Sequence, residues 1–319
     1  MRLINTETLE LSEFFGSNIP AYAILSHTWT KEEVTLREWA NPSDTTTSKA
    51  GYKKTCMACG LARRDDHAWI WVDTNCINKT SSAELSEAIN SMFEWYSNAN
   101  VCYVYLEDVT EDSLAEAGSS DSIKAQFCAS RWFTRGWTLQ ELIAPSSLVF
   151  YNREWARLGT MHDFILKISE TTGIDNCYLL DRGHLDHSGF LDSCIATRMS
   201  WVSRRQTTRV EDMAYCMLGF FDINMPLLYG EGPKAFIRLQ EEIIRRHNDH
   251  TIFAWGDGFR VAAGRHRRDT NLQIGLLAPS PQAFANTRPF RPTIVIDHIA
   301  CHADRIWLPC HSQHKWPQR

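Results

Sequence analysis

The chain has 319 residues, 44% of them apolar and 22% charged, proportions that fit a globular protein and exclude a wholly disordered, collagen-like or small disulfide-rich one. At about 150 residues per domain the length suggests two domains, and a chain of this size buries a sizeable core without disulfides or metal. The net charge of −5 gives no electrostatic reason to expect nucleic acid as a partner.

Residues 1–20 read as a lead-in. Their opening, MRLINTETLELSEFF, has no basic region followed by an apolar stretch, so no secretory leader is expected. Tyr22–Ser26 (YAILS) is a short apolar run, a candidate buried strand, and residues 27–50 are polar and irregular. Gly51–Arg64 reads as a helix with Tyr52, Cys56 and Cys59 on one stripe. Trp69–Asp73 (WIWVD) is a second strand-like run. Ser81 and Glu84 have capping-box spacing, which starts a helix there; Leu85, Ala88, Ile89, Met92, Phe93 and Tyr96 continue it at helical spacing. Val101–Leu106 (VCYVYL) is the third strand. Trp137–Ala144 is helical and stops before Pro145, and Leu148–Tyr151 (LVFY) is the fourth strand. Strand and helix alternate through 21–159, which predicts an α/β unit: a mostly parallel sheet of four or five strands flanked by helices. In such sheets the ligand site lies beyond the carboxyl ends of the strands. That rule selects Ser26-His27-Thr28-Trp29, Asp73-Thr74-Asn75 and Glu107-Asp108 before any motif is invoked.

The alternation stops after residue 159. Residues 160–172 and 193–203 look helical, with 178–192 as the flexible connection. Thr208 can cap a helix through Leu218, with Gly219 as its stop. Asn224–Glu231 is a turn-rich connection, and Pro233 suits the first turn of a helix to about Arg246. Phe236, Leu239, Ile243 and Ile244 form its apolar stripe, and Glu241–Arg245 and Glu242–Arg246 its outer pairs. Residues 160–255 are therefore expected as an α-helical extension on the sheet. In 256–319 periodicity fades, and the run Arg265-His266-Arg267-Arg268 reads as a solvated loop. No uncharged apolar run approaches the roughly 18 residues of a membrane span. The ten cysteines are scattered, several inside apolar runs, the pattern of reduced thiols in a cytoplasmic protein.

The blocks AYAILSHTW, WIWVDTNCINK, ELSEAINSMFEWYSNANVCYVYLEDV, RWFTRGWTLQELIAP, RMSWVSRRQTTRVEDMAYCMLGFFDINMPLLYGEGPKAFIRLQEEIIRR and IFAW, in this order over residues 21–255, resemble the fungal heterokaryon-incompatibility (HET) domain. The resemblance implies a cytosolic protein of non-self recognition that triggers programmed cell death when incompatible hyphae fuse. The chain departs from the family pattern at Thr30, where glycine is usual, and in Asp73-Thr74-Asn75-Cys76-Ile77-Asn78-Lys79, where the family reads DTCCIDK. The order of strands and helices is also similar to that of TIR domains, whose sheet is flavodoxin-like. Plant-type TIR domains carry a tryptophan four residues before a helical glutamate, positions held here by Trp137 and Glu141. In TIR enzymes that glutamate serves cleavage of NAD at the nicotinamide–ribose bond. The resemblance thus implies Glu141 as catalytic residue, with NAD as a substrate and no resident cofactor.

The residues suit that chemistry. Nicotinamide leaves a pyridinium as a neutral molecule, so no general acid is needed, but a carboxylate near the ribose stabilises the oxocarbenium-like transition state. Trp137 and Glu141 share a helix face at i, i+4; the indole would stack on a flat ring while the carboxylate addresses the sugar. Ser26, His27, Trp29 and Asp73 complete the expected substrate contacts. Each has a plainer reading: His27 as a loop residue bonded to backbone, Asp73 as a cap of the next turn, Trp137 as core. Cys56 and Cys59 have metal or redox spacing, but without a second CxxC they read as helical thiols, and no metal site is expected. Arg204, Arg205 and Arg209 near Glu211 and Asp212 read as structural ion pairs. Neither a P-loop nor repeats appear, so any sensor is expected on another chain or to have been lost. Two functions follow, a TIR-like NAD glycohydrolase and a non-catalytic module that acts by assembly, and self-association is compatible with both.

Overall fold

The computed structural model describes residues 1–110, 120–180, 193–256 and 275–287. The basic run at 265–268, most of the connection 178–192, and the paired Cys and His residues at 301–302 and 310–311 lie outside them. Seven strands form one sheet: β1 (Arg2–Asn5), β2 (Leu11–Glu13), β3 (Ala23–His27), β4 (Trp69–Trp71), β5 (Val101–Tyr105), β6 (Leu148–Tyr151) and β7 (Arg157–Thr160), in the order β2-β1-β4-β3-β5-β6-β7. The four predicted strands are its parallel centre, β4-β3-β5-β6. β1 and β2 extend one side antiparallel and β7 the other. The architecture is the expected α/β sheet, but larger than four or five strands. These three additions have only three or four residues each, too few to show a period. They are strands because they pair: Ile4 sits opposite Ile70, and Arg2 opposite Glu13.

β3 and β5 are buried at every position, as central parallel strands covered on both faces must be. Helices α1 (Ala50–Arg64) and α2 (Ser82–Asn98) cover opposite faces. Trp71 of β4 packs edge-on against Trp95 and Tyr96 of α2 at 5.6 and 5.8 Å. Tyr103 of β5 donates its hydroxyl proton to Asp65, just beyond α1 (2.8 Å). The capping box before α2 forms only by half. The Ser81 hydroxyl accepts from the Glu84 N–H (3.3 Å), but the Glu84 carboxylate turns to Arg2 (2.6 Å) and Asn78 (3.3 Å), tying α2 to strand β1.

Beyond α2 come α3 (Ser120–Ala129), α4 (Thr138–Ile143), α5 (Met161–Thr172), α6 (Ile195–Val202) and α7 (Lys234–Arg246). α4 to α7 lie where helices are expected. The expected helix over 208–218 is instead a short turn, Asp212–Tyr215, and then a 3-10 turn, Leu218–Phe221, which contains Gly219 rather than stopping at it. The left-handed residue is Asp222, with φ 49°. Gly219 is required by proximity: a Cβ there would lie 2.0 Å from the Phe93 Cβ on α2. On α7, Phe236, Leu239 and Ile243 are buried as expected, whereas Ile244 is exposed. The expected i, i+4 pairs give way to Arg245–Glu242 and to a bond from Arg246 to the Asp222 carbonyl. Buried Gln240 exchanges two hydrogen bonds with the backbone of Ala278, both 2.9 Å, which fixes the 275–287 segment on α7.

Gly219→Ala forces this contact apart at a Cβ that cannot swing away. We expect a loss of about 1–3 kcal/mol, typical of overpacking, read from urea unfolding, with a smaller loss when the same change is made in a Phe93→Gly background, which removes the opposing Cβ.

Candidate functional site

The parallel strands run β4-β3-β5-β6, second-first-third-fourth in chain order. The order reverses between β3 and β5, and a crevice at such a reversal, at the strands' carboxyl ends, is where open α/β sheets place ligands. β3 ends there with Ser26 and His27. Successive residues of a strand face opposite sides of the sheet, so these neighbours serve two clusters.

Ser26 shares a face with Ile24, which pairs with Trp71 under α2. Its hydroxyl donates to Glu141 Oε2 of α4 (2.5 Å) and accepts from the Trp132 indole N–H (2.8 Å). The Tyr96 hydroxyl, which donates to the Leu25 carbonyl (3.1 Å), lies within hydrogen-bonding reach of the same carboxyl. Glu141 is 7% exposed and Ser26 fully buried. Burial pushes the Glu141 pKa up to about 8, and the charge of Asp73 adds to the rise, against the lowering effects of Ser26, Tyr96 and Arg205. At neutral pH Glu141 is thus mostly a neutral acid.

His27 lies on the other face. Its Nε2 is 3.1 Å from Asp73 Oδ1, and the Trp29 indole N–H donates to Asp73 Oδ2 (2.8 Å). Lys79 Nζ lies 3.8 Å from the same oxygen and 3.4 Å above the centre of the Trp29 ring. Burial alone would raise the Asp73 carboxyl, but the charge of Lys79 and hydrogen bonds from His27 and Trp29 outweigh it and hold the pKa well below the usual carboxylate range. Trp29 is held in place yet 53% exposed, which leaves indole surface for a flat ring. Behind this cluster Lys54 and Glu33 form a buried ion pair at 2.6 Å.

Five of the six expected residues therefore fall into two directly bonded groups, Ser26 with Glu141 and His27 with Trp29 and Asp73. They adjoin through the electrostatic coupling of Asp73 to Glu141. Two carboxyls with pKa values driven apart are the arrangement acid–base and glycosyl chemistry uses. Trp137 is placed differently. It is half-buried at the start of α4 and its indole N–H is directed to Asp212; the indole that touches Ser26 is Trp132. Tyr96 carries the helical period of a core residue and Trp132 sits in no periodic element, so neither had a signal in the sequence. Lys79 lies in the block that carries Asp73, and that proximity is a signal.

The other polar clusters of the sequence resolve structurally. Asn75 is buried, accepting from Thr55 (3.0 Å) and donating to the Val34 carbonyl (3.0 Å), and Asn78 caps the Thr80 turn. The expected ion pairs around Glu211 do not form as drawn. Glu211 accepts from the Gly230 and Gly232 N–H groups (2.8 and 3.0 Å), Arg209 stacks on Tyr229 at 4.5 Å, and buried Arg205 bonds the Arg135 carbonyl and the Thr138 hydroxyl. Among the described residues no cluster of three His, Cys, Asp or Glu could hold a metal ion. Burial raises the Cys56 and Cys59 thiols above their usual range, which disfavours reactive thiolates. Among the described residues no helix is long and apolar enough to cross a membrane.

The unfolded chain loses the Glu141 proton near 4.5, whereas the folded protein keeps it to about 8. Between these values the unfolded state binds fewer protons, so this group's contribution to stability falls as pH rises, with a limiting slope of about 1.4 kcal/mol per pH unit. Glu141→Gln removes that slope. The melting temperature of the variant relative to the parent should climb from pH 5 to pH 8; a constant difference would mean that Glu141 titrates normally.

Residues 22–124 match the family described as Heterokaryon incompatibility protein (HET), and residues 234–298 match a domain of unknown function, DUF8212. The first match holds Ser26, His27, Trp29, Asp73 and Lys79. The chain is similar to Vegetative incompatibility protein HET-E-1 of Podospora anserina, 48% identical over 231 residues, which cover 72% of this chain and 16% of that protein. The chain thus spans about a sixth of that relative's length. No solved structure matches. On the HET match and this identity, the chain belongs to the heterokaryon-incompatibility (HET) family.

Proposed function

We propose that this HET domain is a cytoplasmic effector of vegetative incompatibility, acting in non-self recognition and programmed cell death by cleaving NAD at the nicotinamide–ribose bond. The observation that carries this reading is the Glu141 carboxyl beside Ser26 at the carboxyl end of β3, coupled to Asp73. In the reaction the Glu141 carboxylate holds the ribose hydroxyls and stabilises the positive charge that develops as neutral nicotinamide departs. Trp29, rather than Trp137, offers the stacking surface for a flat ring. Substrate reaches Glu141 only after a rearrangement around α4, because the carboxyl is buried in the resting domain. The sensor of non-self belongs to other sequence, and self-association brings several domains together.

A second reading, a non-catalytic module that kills by assembling with itself or with death effectors, draws support from the same burial. A neutral, hydrogen-bonded Glu141 with little exposure also serves as a purely structural polar contact.

Incubation of the purified protein with NAD, followed by measurement of free nicotinamide, separates the two. The glycohydrolase reading expects release that rises through an apparent midpoint near 8, as Glu141 loses its proton. It also expects release to fall on the order of 10²–10³-fold in a folded Glu141→Gln variant, the usual cost of removing one preorganised stabilising group. Expression in a fungal host, scored for growth and cellular NAD, adds the second arm. Undiminished killing with unchanged NAD in Glu141→Gln would leave the assembly module standing.

A further inference from the structure

Arg205 stands out among the charged residues. It is 2% exposed and lies just after α6. Its Nη1 donates to the Arg135 carbonyl (2.8 Å) and to the Thr138 hydroxyl (3.0 Å), neither of them an acid, and its buried Nη2 has no hydrogen-bond partner. Burial brings its pKa down to about 10, which still leaves a full cation at neutral pH. A guanidinium held in the interior without a counter-charge is costly, and natural structures seldom keep one without a use.

The geometry around it points to that use. Thr138 is the first residue of α4, and Glu141 lies three residues on, on the same helical face. The Thr138 hydroxyl also reaches the Trp132 carbonyl (2.5 Å), and the Trp132 indole bonds Ser26, which bonds Glu141. Arg205 and Glu141 therefore hold the two ends of one hydrogen-bonded loop. The groups that act electrostatically on Glu141 are Ser26 from β3, Tyr96 from α2, Asp73 from beyond β4, and Arg205, and those that act on Arg205 are Cys216 and Glu141. Asp73 repels the Glu141 charge, and Arg205 supplies the one positive charge among these groups.

We propose that Arg205 is the positioning residue for Glu141: the buried guanidinium is the counter-charge against which the Glu141 carboxylate forms. The helical half thereby controls whether the α/β half holds a working carboxylate. The backbone supports this coupling. The Gly136 N–H donates to the Gln206 carbonyl (2.8 Å) and the Gln206 N–H to the Thr134 carbonyl (2.7 Å), so the segment carrying Arg205 is stitched to the entry of α4. Withdrawal of that segment removes the cation and raises the Glu141 pKa further, so that the carboxylate forms only at higher pH. The inference rests on the reading of Glu141 as the working carboxylate, but its test does not use NAD.

The test is a carbon-13 NMR titration of the Glu141 carboxyl in the full chain, assigned by its loss in Glu141→Gln. Arg205→Met should raise the titration midpoint, since a cation near an acid lowers its pKa. Arg205→Lys should restore part of the difference by returning the charge without the fork. A folded Arg205→Met protein with an unchanged midpoint overturns the proposal. Should Arg205→Met fail to fold, the unaltered chain decides: the Arg205 side-chain nitrogen signals should move through the Glu141 midpoint and should stay flat over that range in Glu141→Gln. Signals indifferent to Glu141 reject the coupling, even in a protein that cleaves NAD.

Discussion

The architecture depends on one buried strand and its period of two. β3 is covered on both faces along its whole length, so each of its residues must find a partner in the interior. At the carboxyl end that requirement falls on two polar residues. Ser26 meets it with Trp132 and Glu141 on one face, and His27 meets it at Nε2 with Asp73 on the other, while its buried Nδ1 has no hydrogen-bond partner. A polar group buried without a partner costs on the order of 1–3 kcal/mol, so the strand end recruits hydrogen-bonding residues from several distant segments. The candidate site is the set of groups that satisfy β3.

The two carboxyls recruited in this way end in opposite states. Asp73 collects donors and a cation, and stays ionised. Glu141 is buried, its hydrogen-bond partners are neutral and it feels Asp73 as a like charge, which outweighs the pull of Arg205, so it holds its proton to about 8. Environment alone separates them. The same separation makes Glu141 chemically available near neutral pH, where a small change in surroundings moves it between acid and carboxylate.

The helical half is more than a cover. Gly219 packs directly on Phe93 of α2, the segment after α6 pairs with the entry to α4, and Gln240 anchors the 275–287 segment. These contacts run from the helical region to both helices that supply the Glu141 environment, α2 with Tyr96 and α4 with Glu141 itself. A partner acting on the helical half is therefore mechanically connected to the carboxyl end of the sheet.

What the sequence determined by itself was local. Apolar runs long enough to show as strands became the parallel centre, and helical periods became α1, α2, α5 and α7. The strand-end rule selected Ser26, His27, Trp29 and Asp73 because it needs only the order of elements. The edge strands were not legible, since three or four residues show no period and exist as strands only through pairing. The helix over 208–218 had a good local pattern, yet the chain there forms two short turns, the second with Gly219 packed on Phe93. The partners of Glu141 were decided wholly by tertiary structure. Tyr96 and Trp132 look like core aromatics in one dimension, and Arg205 looks like one basic residue among several near acids. Only packing turned Trp137 toward Asp212, brought Trp132 to Ser26 and buried Arg205, because which groups share a low-dielectric interior depends on contacts between residues tens of positions apart.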